Sequence, residues 1–173
     1  MKISLKTFFP MAMAVSGAIA LTSCDGHSID KITNEYCLNN GKTEKDFKNI
    51  ASTKDDSYKI SKLDSIAYRD IFETTNLAVD SAKIAEFNKL ASSCRAPEDY
   101  SVDISTFQKN KATEAGMLHK DFQTMTSYGK TSIRQNLLDN FVYKKFFKEN
   151  GVLNKNVEQK CDEYSRNVIS TLK

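Results

Sequence analysis

Near the end of the chain, Val157, Cys161, Tyr164, Val168 and Leu172 recur three or four residues apart among polar neighbours, and Asn154 stands just ahead of them. This spacing predicts a capped amphipathic helix with one buried stripe, lying as a lid on the core. Before it, Ile133, Leu137, Leu138, Phe141, Val142, Tyr143, Phe146 and Phe147 occupy most of a helical circumference up to Gly151. That segment is expected to be the most enclosed helix, opened by a capping box at Ser132 to Gln135. A further capping box at Ser105 to Gln108 introduces Phe107, Ala115, Leu118, Phe122 and Met125, which form one stripe running to Tyr128 and Gly129.

The first half of the chain reads the same way. Ile29, Ile32, Tyr36 and Cys37 follow Ser28 at helical spacing and end at Asn39-Asn40-Gly41. A short helix follows from Thr43 to Ala51, with Glu44 and Asp46 in its first turn. Ser57 to Val79 is the ambiguous stretch, because Tyr58 and Ile60 also suit a strand, but neither Gly nor Pro occurs between Gly41 and Pro97. Helix is therefore favoured. Asp80 is placed to cap a helix carrying Ile84, Phe87, Leu90, Ala91 and Cys94, and Cys94 to Ile104 reads as the longest loop. With no repeat or low-complexity tract, the expectation is an all-α fold: a single compact bundle of five to seven helices over residues 29–173, stapled by one disulfide.

The amino-terminal stretch has a different character. Lys2 and Lys6 precede a largely apolar run, Phe8 to Leu21, which is the order of an export signal. Fourteen helical residues would span only about 21 Å, against about 30 Å of hydrocarbon. The run closes on Leu21-Thr22-Ser23-Cys24, which resembles the lipobox of bacterial lipoproteins. That resemblance covers residues 1–24 only. It implies removal of residues 1–23, a diacylglycerol thioether on Cys24 and acylation of its new amino group, with residues 24–28 as a short tether. Several acyl chains convert marginal membrane binding into stable anchoring. The implied location is the bacterial cell envelope, on a membrane and facing the periplasm. Asp25 resembles the inner-membrane retention signal of one bacterial lineage, which leaves the choice of membrane open.

Composition narrows the function by exclusion. The chain from Cys24 onward has 150 residues, with 23 basic against 22 acidic side chains. It has no electrostatic footprint for nucleic acid. Cys37, Cys94 and Cys161 remain besides the anchor, and an oxidising compartment predicts one disulfide and one thiol among them. Closing the loop from Cys37 to Cys94 would stabilise by about 4 kcal/mol, the other pairings by similar amounts. Cys37 with Cys94 is preferred, because both fall near helix ends.

No cofactor, metal or catalytic set is expected. His27 and His119 lack ligand partners at helical spacing, no CxxC or phosphate loop occurs, and the adjacent acids Asp55-Asp56, Glu98-Asp99 and Asp162-Glu163 read as solvated. Phe141 to Lys148 interleaves aromatics with lysines. Tyr143, Lys144, Phe147 and Lys148 would form a partner-binding patch if exposed, or a core helix with snorkelling lysines if not. The preferred function is a lipid-anchored, non-catalytic protein-binding module: part of an envelope or secretion assembly, or an inhibitor or immunity factor. The alternative is an envelope enzyme with a site assembled from distant residues, for which His119 and Cys161 are the nominal candidates.

Overall fold

In the computed structural model, which describes residues 28–53, 55–74, 81–95 and 103–173, every regular element is a helix. The signal segment, Cys24, His27, the Asp80 cap and the Pro97 loop lie outside the described residues. Among the described residues eight helices are seen: α1 (Ser28–Asn39), α2 (Glu44–Ala51), α3 (Asp56–Thr74), α4 (Ser81–Ser93), α5 (Ile104–Glu114), α6 (His119–Thr126), α7 (Thr131–Glu149) and α8 (Lys155–Leu172). The all-α expectation holds, and the ambiguous stretch is the helix α3.

One helix more than expected arises at Gly116. The apolar spacing from Phe107 to Met125 is that of one continuous stripe, but Gly116 sits at φ +69°. Its N–H donates to the Thr113 carbonyl at 3.0 Å and that of Met117 to the Ala112 carbonyl at 3.0 Å. This left-handed stop ends α5 and allows α6 to leave at a new angle. Gly151 ends α7 in the same way, with Val152 donating to the Phe147 carbonyl.

Capping is met in part. Asn154 accepts from the N–H groups of Asn156 and Val157, each at 3.0 Å, and Thr43 and Asp46 form a reciprocal box at the start of α2. The two capping boxes expected further along are displaced. Asp103, rather than Ser105, caps α5, and α7 begins at Thr131 with Ser132 already buried. In both places the helix extends toward its N-terminus past the Ser expected to cap it.

The core has two chemically distinct ends. Ile29, Ile32, Ile50, Ile60, Leu63, Ile133, Val168 and Leu172 form an aliphatic cluster. Tyr68, Phe72, Phe87, Tyr143, Phe146, Phe147, Val157 and Cys161 form an aromatic one, with the Phe72 and Phe147 rings 5.4 Å apart. Early residues of α3 and α7 share the first cluster and late residues the second, so these helices run in the same sense. Helix α8 contributes in reverse order and runs against them. Helix α7 packs on α3, α4, α5, α6 and α8, which makes it the central helix, as its all-round apolarity predicted.

Gly116→Ala should cost about 1–2 kcal/mol, from forcing a Cβ into left-handed backbone, because an added Cβ would meet only Lys145 Nζ at 3.8 Å. Gly129→Ala, with open space around it, should change stability by less than about 0.5 kcal/mol. Urea unfolding of the two variants checks the contrast.

Candidate functional site

Between the two apolar ends of the core lies a polar seam, built from one face of α3 and one of α7. On α3, Ser57, Ser61, Asp64 and Ser65 are buried; on α7, Ser132, Gln135, Asn136, Asp139 and Asn140 are, and Ser165 joins them from α8. Asn136 is the hub. Its amide donates to Asp64 Oδ1 at 2.9 Å, and its carbonyl oxygen accepts from Ser165 Oγ at 2.5 Å, linking three helices. The adjacent Gln135 donates to Asp139 Oδ1 at 2.9 Å and to the Cys94 carbonyl at 2.7 Å, and Gln108 of α5 donates to Gln135 Oε1 at 3.2 Å.

Asp64 and Asp139 are both fully buried, and among the described residues neither has an ion-pair partner. Arg95 reaches the Ser65 hydroxyl at 3.1 Å instead. Burial raises the Asp64 carboxyl well above the usual carboxylate range, against the opposing influence of Tyr164 and Asn136. Burial raises Asp139 likewise, and the charge of Asp64 raises it further. Asp64 Oδ2, Asp139 Oδ2 and the hydroxyls of Ser61, Tyr68, Tyr143 and Tyr164 are buried without a partner in good hydrogen-bonding geometry. A protonated carboxyl supplies a donor where an ionised one cannot. The neutral form therefore suits this seam both electrostatically and in its hydrogen bonding.

The four residues of the possible partner patch are divided by the structure. Tyr143 and Phe147 are fully buried in the aromatic cluster, so the core-helix reading of that pair is the correct one. Lys144 and Lys148 lie on another face of α7 and line a groove of about 760 Å³ bounded by α6, the α5–α6 turn and Leu153. Its apolar lining includes Met117, Met125, Leu137, Phe141 and Leu153. Lys144 donates to Asp162 Oδ1 at 2.9 Å, and Lys145 donates to the Ala115 carbonyl at 2.8 Å while lying 3.8 Å from Glu149. Lys148 is exposed and makes no ion pair among the described residues. Burial pushes Asp162 up, but its bonds from Lys144 and Asn140 outweigh that and hold the carboxyl below its ordinary value.

A second groove, of about 620 Å³, runs between α1, α3 and α8 and is more polar. There the Tyr36 hydroxyl donates to Asp70 Oδ2 at 2.6 Å and Lys42 donates to Asp70 Oδ1 at 2.5 Å.

The nominal enzyme pair is not assembled. His119 is exposed at the start of α6, whereas Cys161 is buried in the aromatic cluster, and burial pushes its thiol up to about 12. A thiol held there is a poor nucleophile near neutrality. Cys37, Cys94 and Cys161 are three separate buried thiols, none bonded to another. The expected staple is thus missing from the structure. Loop entropy favours each closure about equally and carries no information on whether two Cβ atoms face each other. Among the described residues no three His, Cys, Asp or Glu side chains come together as metal ligands, and no helix is long and apolar enough to cross a membrane. Comparison with family models, with curated proteins and with solved structures finds no match.

Asp64 and Asp139 generate a pH signature of definite sign. A carboxyl whose folded pKa exceeds its unfolded one gives stability that is fully present below the unfolded value, near 3.8, and is lost as pH rises through the folded value. Asp139→Asn preserves the acceptor for Gln135. It should therefore be more stable than wild type at pH 7, the difference shrinking toward pH 4. Urea midpoints at pH 4, 5.5 and 7 measure this, and a difference independent of pH would disprove the assignment.

Proposed function

We propose that this protein is a lipid-anchored component of a bacterial cell envelope that acts by binding a protein partner rather than by chemistry. The anchor rests on the lipobox-like Leu21-Thr22-Ser23-Cys24 following a short charged and apolar leader. Only three residues, Asp25 to His27, separate Cys24 from α1, and they would reach at most about 11 Å, keeping the bundle beside the bilayer.

The observation that carries the binding role is the groove along α7. It combines a half-buried apolar lining of Met117, Leu137, Phe141 and Leu153 with charged side chains of both signs, Asp121 and Glu149 beside Lys144, Lys145 and Lys148, and so keeps Lys144 and Lys148 of the possible patch without its two buried aromatics. Such a surface suits a subunit of an envelope or secretion assembly, or an inhibitor or immunity factor that occupies a partner's site.

Replacing Cys24 with Ala should abolish incorporation of labelled palmitate and release the protein from the membrane fraction; undiminished labelling of that variant would refute the anchor. Export to an oxidising compartment bears on the thiols as well. Because Cys37, Cys94 and Cys161 are buried, they should survive unpaired, so thiol titration of the exported protein in denaturant without reductant should count three. A count of one would restore the disulfide.

A further inference from the structure

If Cys24 carries the anchor proposed above, the place where α1 begins decides which end of the bundle meets the bilayer. With three residues between Cys24 and α1, the start of that helix lies within about 11 Å of the lipidated position. Helix α1 runs in the same sense as α3, since Asp30 meets Lys59 near their starts and Tyr36 meets Asp70 further along. The starts of α1, α3 and α7 and the end of α8 therefore share one pole, where Ile29, Ile60, Ile133 and Leu172 belong to the aliphatic cluster. Helix α7 is 19 residues long, so the opposite pole stands about 28 Å farther along the bundle. The first pole is the one brought to the headgroups.

That pole carries a corner of unbalanced charge. Lys130, just before α7, is exposed and donates to the Leu172 carbonyl at the end of α8. Lys173 is exposed too, and its Nζ lies 5.4 Å from the centre of the Tyr128 ring, which packs half-buried on the aliphatic cluster. Arg134, in the first turn of α7, donates to the Gly129 carbonyl at 3.2 Å. Among the described residues none of these three cations has a carboxylate within ion-pairing distance.

The acids of the same pole are engaged elsewhere. Asp30 is matched by Lys59 at 3.1 Å, Asp55 accepts from the Tyr58 N–H at 2.8 Å, Asp56 lies in the first turn of α3 and Asp103 caps α5. The last three offset the partial positive charge of helix starts. The corner between α7 and α8 keeps its cations without acids among them. Clustered lysine and arginine are drawn to an anionic leaflet, and an amphipathic ring such as that of Tyr128 suits the boundary between apolar and wet surroundings. We propose that this corner, Lys130, Arg134 and Lys173 around Tyr128, is the surface on which the anchored bundle rests on anionic phospholipid headgroups, with the far pole turned away from the membrane.

The test uses the processed, lipidated chain labelled with ¹⁵N-glycine, in nanodiscs of phosphatidylcholine alone or mixed with phosphatidylglycerol, each containing a lipid with a gadolinium-chelating headgroup. The glycines mark height: Gly129 belongs to the corner, whereas Gly41 and Gly151 follow the ends of α1 and α7 at the far pole. In the anionic discs the Gly129 amide should lose intensity while Gly41 and Gly151 keep theirs. Combining Lys130→Glu with Lys173→Glu should restore most of the Gly129 signal, and raising the salt from about 0.05 to 0.5 M should do the same without any substitution. Greater loss at Gly41 or Gly151 than at Gly129 would overturn the orientation. Loss at Gly129 that is equal in the two lipids and unmoved by salt or charge reversal would overturn the headgroup contact. Co-elution with the discs reads the anchor separately. A chain that co-elutes with no effect at Gly129 keeps its anchor and refutes the proposal, whereas one that never enters the discs removes the anchor and the proposal with it.

Discussion

A buried amide, Asn136, ties α3, α7 and α8 together, and most of the architecture depends on it. Its two hydrogen bonds, to Asp64 and from Ser165, are satisfied only when the three helices stand at one axial register. Slipping any one by a turn would strand donors and acceptors in a region that excludes water, each at about 1–3 kcal/mol. The aliphatic and aromatic halves of the core lack this selectivity, because apolar side chains of similar size exchange neighbours at small cost. Burial supplies the driving force, and the seam specifies which arrangement receives it.

The acids within the seam extend that logic. An ionised pair of buried carboxylates, without an ion-pair partner among the described residues, would oppose folding. As neutral acids they behave like the amides and hydroxyls around them, able to donate as well as accept. Burial likewise raises the three tyrosine hydroxyls of the same region well above their ordinary value. Burial thus favours the neutral form of the acids and the phenols alike, which fits the seam's place between two apolar clusters.

Hydrophobic spacing made the helices legible, including the central position of α7 and the stripe of α8, because burial on one helical face follows directly from period. Caps were less legible: Ser105 and Ser132 carry the right side chains, yet each helix begins earlier, since packing of α5 and α7 decides where the backbone turns. The seam was missed, although a signal existed. The positions three and four residues from Asp64 are Ile60, Ser61, Ala67 and Tyr68, and those around Asp139 are Gln135, Asn136, Val142 and Tyr143, with no basic residue in either set. An acid on such a face is either buried or misplaced. The groove could not be read at all, because its walls come from helices whose relative angle depends on the stop at Gly116.

That glycine carries a consequence for how the surface can change. Had residue 116 been a good helix former, α5 and α6 could have continued as one rod, and the wall opposite Lys148 would have been elsewhere. The concavity beside α7 is then a by-product of stereochemistry at a position that contributes no side-chain atom to it. Variation at residue 116 would be felt as a change of recognition as well as of stability, so tolerance to mutation there should follow the groove's occupant more closely than the packing of the core.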